Sequence, residues 1–439
     1  MPPRSESLLA VSHALRWATV VVLTGLFGGL SGLGLAALLH VIQHIAYGYS
    51  PLTFFNGESF VNGVTAASPA RRVGVLTVCG LVAGLGWWAV ARWCKPLVSV
   101  ARAVDGDDPR MPVVATACHA LLEIITVALG SPLGREVAPR EMAAMIAARL
   151  CSYARLSLED SKVLVACGAG AGLAAVYNVP LAGVLYVLEG LLASFRWRAL
   201  VPAIVTSVIA ALIARLGLGN LPQYDVPRYA ATPLLMIWSA IAGPLFGVAA
   251  VLFTRSTSSA RAHAPRGAAL AGLCLLNFGF IGLLATRFPI LLGNGRGPAQ
   301  VGFDGSIGFR LAATLLGLRV LITWTSLRAG AAGGLLTPGL CNGALLAILL
   351  GGIWSTVWPG TPLGAYAVIG ATAFLASSMR APLTALALLF ELTHPSQEFL
   401  LPMLIAVSGS VLTAECVRDA WPVSASRRAV QTAAAQTTT

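Results

Sequence analysis

Apolar runs of very unequal length fill this chain, at about 16–48, 72–92, 113–129, 142–153, 162–193, 199–217, 231–254, 267–293, 309–325, 335–358, 363–376, 381–392 and 399–415. Crossing a hydrocarbon core of about 30 Å takes around twenty helical residues, so several runs are too short to span. Others, such as 162–193, are too long and carry internal Gly, Asn and Pro. Short, long and broken helices together imply a transporter-like all-α bundle rather than simple hairpins of spans. Hydrophobic residues at 57%, charged residues at 10% and a mean hydropathy of +0.80 exclude a soluble globular domain. The first run is too long for a signal-peptide core and reads as a retained, tilted span.

The net charge of +12 comes from short basic clusters between apolar runs, such as Arg71 with Arg72 and Arg196 with Arg198. That pattern fits inside-positive loops. No basic tract is interleaved with stacking aromatics, which argues against nucleic-acid binding. The eight cysteines are dispersed, with no CxxC and no metal spacing, and read as small packing residues.

Within this apolar background Gly130 to Glu141, GSPLGREVAPRE, sets charge around a Gly/Pro break. Each charged group at membrane depth costs roughly 2.5–3.5 kcal/mol, so such groups face a watery path or a buried partner. Irregular backbone is tolerated there where it lines a cavity or is buried in protein. The spacing predicts a half-helix beginning near Val137, with its free N–H groups aimed into the break, which makes an anion site. Glu136 stands one residue before that start and is placed to fill the site with its own carboxylate until an anion or a proton displaces it.

The chain also repeats itself. Leu173 to Glu189, LAAVYNVPLAGVLYVLE, matches Leu375 to Glu391, LASSMRAPLTALALLFE, without a gap; Pro180 pairs with Pro382, an offset of 382 − 180 = 202. The second half has its own break before a helix, Gly333-Gly334-Leu335-Leu336-Thr337-Pro338, the approximate counterpart of Gly134 to Pro139. Duplicated halves with an ion site at their interface characterise secondary transporters. Two helix N-termini then converge on one point. The boundaries read as an N-terminal cytoplasmic tail at 1–15, a first half at 16–217, a second half at 218–430 and a C-terminal tail at 431–439. Gly168 with Gly172 form a small-xxx-small pair suited to close helix contact.

These motifs resemble the CLC family of chloride channels and chloride/proton antiporters. GREVAP is similar to the family's gating-glutamate motif, GGLLTP to its GxFxP motif, and NVPLAGVLYVLE and RAPLTALALLFE to its paired NAPLAG and RAPLTG helix starts. The similarity runs from about Val73 to Trp421. It implies an all-α polytopic membrane protein, a CLC-type inverted-repeat bundle of tilted and broken helices. It implies a homodimer with one pore per subunit, in the lipid bilayer of a bacterial inner membrane. It further implies Glu136 as gate and the backbone N–H groups near Val137, Leu335 and Leu336 as anion ligands, with Arg135 alongside. No cofactor is expected beyond chloride as bound substrate, with other halides, nitrate or protons as further partners. No CBS pair is expected after the last apolar run.

The departures from the family pattern carry information as well. The proline of GREVAP falls one place later than in GREGP. The family's GSGIP serine motif is not recognisable; Lys95 and Ser99, within CKPLVSV, are the two candidates for its place. The family's central tyrosine segment is matched by WPVSAS, which offers Ser424. The family's second, proton-transferring glutamate is Gly190 here, with Glu189 in the first acidic position. Either a passive channel follows, or an antiporter whose proton path uses another acid; Glu123, in ALLEIITVALG, is the candidate.

Plainer roles stand beside these. Arg135 with Glu136 has a buried ion pair as its plainer, less favoured reading, and Arg140 and Glu141 read as structural groups. Lys95 reads equally as a snorkelling interfacial residue. Glu189 and Glu391 read as helix anchors. His119 and Glu123, four apart, suit a local hydrogen bond better than half a metal site. Gly293-Asn294-Gly295-Arg296-Gly297 reads as a flexible loop. An intramembrane enzyme using Ser131 or His119 lacks a G-x-S-x-G elbow and an HExxH helix. An organic-anion carrier needs a wide polar cavity, and a fluoride exporter of the same fold is the remaining alternative.

Overall fold

The computed structural model describes residues 4–48 and 60–421. Within them regular structure is helical, with one isolated antiparallel bridge. Two compact units form, interleaved in sequence. The first comprises Met1–Ala36, Pro96–Ala120 and Ala138–Leu221, and the second Ala37–Lys95, Leu121–Val137 and Pro222–Thr439. The stretch 16–217 therefore supplies segments to both.

The first unit takes the early part of α1 (Arg4–Tyr47), then α4 (Val100–Asp105), the start of α5 (Val113–Ala128) and nearly all of α6 (Val137–Ala154). It continues through α7 (Leu158–Tyr177), α8 (Pro180–Leu185), a π-helical stretch (Tyr186–Leu191) and α9 (Trp197–Leu218). Every residue of α7 from Leu164 to Tyr177 is buried. A helix apolar all round is one enclosed by other helices. Gly172 explains part of how: its Cα lies against the Pro139 carbonyl of α6, and Gly168 lies against Ala143 and Ala144, where any side chain would collide. In lipid such close backbone approach, rather than the hydrophobic effect, holds helices together.

The second unit holds α2 (Phe60–Ala66), α3 (Pro69–Trp93), α10 (Pro233–Ala262), α11 (Ala268–Arg287), α12 (Arg296–Phe303) and α13 (Phe309–Arg328). It is completed by α14 (Leu336–Ser355), α15 (Leu363–Met379), α16 (Pro382–Thr393) and α17 (Leu400–Ala420). α3 packs along α11, α10 along α17 and α14 along α15. Arg72 of α3 is buried and donates to the carbonyls of Val64, Thr65, Ala67 and Ala285 at 2.8–3.0 Å, tying α2 and α11 to α3.

The repeat is visible in backbone detail. α7 ends on Asn178 with φ 57° and α15 on Arg380 with φ 55°, both left-handed C-caps, and a proline opens the next helix two residues later in each case. The copies diverge afterwards: α16 continues as α-helix to Thr393, whereas α8 passes into the π-helical stretch that contains Glu189 and Gly190.

Eight helices among the described residues are long and apolar enough to cross a membrane, alongside shorter apolar helices such as Val113–Ala128 and Leu363–Met379. One expectation is corrected. Gly293 to Gly297 is not a flexible loop: Gly293 N–H donates to the Gly130 carbonyl at 3.0 Å, the Gly293 carbonyl accepts from Arg319 at 2.7 Å, and α12 begins at Arg296. Gly295, the residue before α12, takes a left-handed conformation, φ 106°, that glycine adopts without steric cost.

Candidate functional site

The two glycine breaks cross. Gly134 N–H donates to the Gly334 carbonyl at 2.7 Å and Gly334 N–H to the Gly134 carbonyl at 2.9 Å, the offset being 334 − 134 = 200. Two residues past Gly134 stands Glu136, and two past Gly334 stands Leu336, the first residue of α14. Both breaks therefore turn into helix immediately after the bridge. Leu335 is the N-cap of α14, with φ −119° and ψ 6° and no side-chain cap hydrogen bond.

That end of α14 is capped by Glu136. Its Oε1 accepts the Leu336 amide at 2.7 Å, and the side chain is fully buried. Both glycines make room for it, since a methyl group at Gly134 or Gly334 would overlap the carboxylate. A helix N-terminus carries about half a positive charge in its unsatisfied N–H groups. A hydrogen bond to a charged group adds about 1.5–3 kcal/mol. The carboxylate thus sits where a free anion would bind, and a proton on it weakens its hold without altering the site.

The start of α6 is treated the same way. Val137, its first residue, donates its N–H to Glu123 Oε1 at 3.1 Å, and Glu123 is fully buried. Each of the two helix starts therefore carries one of the chain's own carboxylates.

Arginines surround the crossing, and the sequence reading missed two of them. Arg319 on α13 is fully buried and donates to the Pro132 carbonyl at 3.0 Å, to Leu291 at 3.1 Å and to Gly293 at 2.7 Å. Arg261 at the end of α10 donates to the Gly333 carbonyl at 2.7 Å and lies within electrostatic reach of Glu123 and Glu136. Arg135 is buried beside Glu136. An arginine in the middle of the apolar run 309–325 was the available signal for Arg319. With Ser131, Leu133 and Glu136 all at most 1% exposed, the crossing is closely walled.

The remaining candidates lie elsewhere. Lys95 is exposed in the segment after α3. Ser99 caps α4, its hydroxyl accepting the Arg102 N–H at 3.3 Å. Glu189 is half-buried in the π-helical stretch, and Gly190 beside it is exposed. Ser424 lies outside the described residues. His119 and Glu123 each meet a residue of α6: His119 Nδ1 lies 3.1 Å from Glu141 Oε2, and Glu123 Oε1 accepts the Val137 N–H at 3.1 Å. Arg140 and Glu141 likewise separate, Arg140 donating to the Tyr186 hydroxyl at 3.0 Å.

Comparison with known proteins bears on the family and the fold. A family model described as "Voltage gated chloride channel" matches residues 79–415. A putative chloride channel protein ClcB-like from Ralstonia nicotianae is 31% identical over 359 residues, covering 77% of this chain and 82% of that protein. An H(+)/Cl(-) exchange transporter ClcA from Citrobacter koseri is 31% identical over 308 residues, covering 66% of this chain and 63% of that protein's length. The crystal structure of a slow cyanobacterial Cl-/H+ antiporter superposes with a TM-score of 0.77 at 21% identity, covering 92% of this chain and 95% of that one.

Proposed function

Because the chain belongs to the voltage-gated chloride channel family and is a multi-pass integral membrane protein, we propose that it transports chloride and similar small anions, bromide and nitrate among them, with Glu136 as gate. The observation that carries this reading is the Glu136 carboxylate on the Leu336 amide at 2.7 Å. A protein carboxylate and a mobile anion compete for one helix N-terminus. Protonation of Glu136 shifts the competition toward the anion. The close walls of the crossing favour small anions over organic ones, and the helix N–H groups serve a halide directly.

Transport is read as exchange of chloride for protons, as the names of two similar proteins state for those proteins. Glu136 is the first acid on the proton path and Glu123, at the start of α6, the second. The working molecule is taken as a homodimer in a bacterial inner membrane, with no cofactor and no enzymatic chemistry. A passive channel is the second reading, favoured by Gly190 in place of the second acid of the family helix.

Simultaneous chloride efflux and proton uptake by proteoliposomes under an imposed chloride gradient tests the choice. Proton movement against its own gradient at a fixed ratio to chloride is the expected result. Chloride flux with no coupled proton movement overturns the exchange reading in favour of the channel.

A further inference from the structure

Within the first unit, His119 of α5 and Glu141 of α6 form a buried pair that the anion site does not use. Their exposures are 5% and 7%, and His119 Nδ1 lies 3.1 Å from Glu141 Oε2. Among the described residues the salt bridge of Glu141 is with His119 alone. Arg140, next to Glu141 in sequence, turns instead to Tyr186, with its guanidinium 5.2 Å from the ring centre. Along α5 the neighbouring titratable groups are Cys118 and, one turn on, Glu123. Along the buried run of α7, which packs on α6, they are Cys167 and Tyr177.

We propose that His119 and Glu141 together form a proton-binding site that loads and releases one proton during transport, a further station beside Glu136 and Glu123. This inference rests on the exchange reading above. The charge balance supports it. With the imidazole neutral and donating to an ionised Glu141, the pair bears a net −1 in a water-poor place, which is costly. One proton added to the imidazole makes an imidazolium–carboxylate pair of zero net charge, and returning that proton restores the starting pair. Histidine is the side chain whose charge changes most readily near neutral pH. Stability alone does not account for the pair, because a buried ion pair is commonly replaced by well-packed apolar residues without loss.

The experiment uses the purified full-length protein, with His119→Gln and Glu141→Gln as separate variants, since each amide keeps a hydrogen-bonding partner in place. In proteoliposomes under a chloride gradient, the protons carried per chloride are expected to fall clearly below the wild-type ratio in each variant. In parallel, infrared difference spectra between acid and neutral pH are expected to show, in the wild type, a protonation-linked signal from this pair that both variants lose. A wild type that couples, with variants that keep its ratio, overturns the inference and leaves the exchange reading standing. A wild type that does not couple overturns the exchange reading and, with it, the transport role of the pair. An infrared signal unchanged in both variants overturns proton binding by the pair whatever the fluxes show.

Discussion

Glu136 and Leu336, 200 residues apart, are joined by a hydrogen bond of 2.7 Å that places a carboxylate on the first amide of α14. The Gly134–Gly334 bridge holds the two breaks together, two residues before Glu136 on one side and two before Leu336 on the other. In the proposed reading, gate and anion site are a single piece of backbone geometry.

Crowding that volume displaces the gate. Gly334→Ala puts a methyl group into the space of the Glu136 carboxylate, and the lost hydrogen bond is worth about 1.5–3 kcal/mol. Anion efflux at neutral pH is expected to rise relative to the wild type and to depend less on pH. Efflux assays on proteoliposomes across pH check this.

Arg319 is expected to hold the crossing together. Arg319→Met removes the donor from the Pro132, Leu291 and Gly293 carbonyls, at a cost on the order of 1–3 kcal/mol for each buried acceptor left unsatisfied. Thermal unfolding in detergent is expected to move clearly downward. Arg319→Lys, with one compact head in place of a fork, is expected to recover only part of the loss.

Glu123→Gln keeps an acceptor for the Val137 amide but cannot carry a proton. The ratio of protons to chloride is expected to collapse in simultaneous flux measurements. An unchanged ratio would show that another group carries the proton past α6.

The loop before α5 gives a pH prediction outside the spans. The Arg110 guanidinium and backbone N–H both bond Asp108, at 2.8–3.0 Å, and hold its carboxyl below the usual carboxylate range. A carboxyl depressed in the folded state contributes stability above its unfolded value and loses it as pH falls through the folded one. Asp108 is exposed, so the effect on overall stability is small. Carbon-detected NMR of labelled aspartate is expected to give Asp108 a midpoint below the ordinary value, which Arg110→Ala returns upward.

Local signals carried much of the fold. Pro180 and Pro382, the glycine breaks, and a charged residue in apolar surroundings are marks that a chain makes on a short stretch of itself. The caps at Asn178 and Arg380 reproduce the 202-residue offset to the residue. The missed features are long-range. Arg319 meets a carbonyl 187 residues away and Arg261 one that is 72 away, and backbone acceptors leave no trace in sequence. His119 meets Glu141, 22 residues on, and Glu123 meets Val137, 14 residues on, distances that helical spacing does not signal. Gly293 and Gly295 looked mobile in sequence but provide left-handed geometry in a held turn that leads into α12.

The most direct test of the central claim is the pH dependence of chloride efflux in Glu136→Gln, measured beside the wild type. An amide that keeps the shape of the side chain but never carries charge is expected to give efflux independent of pH, near the level that the wild type reaches only in acid. Efflux from the variant that follows pH as the wild type does would contradict the assignment of Glu136 as the gate.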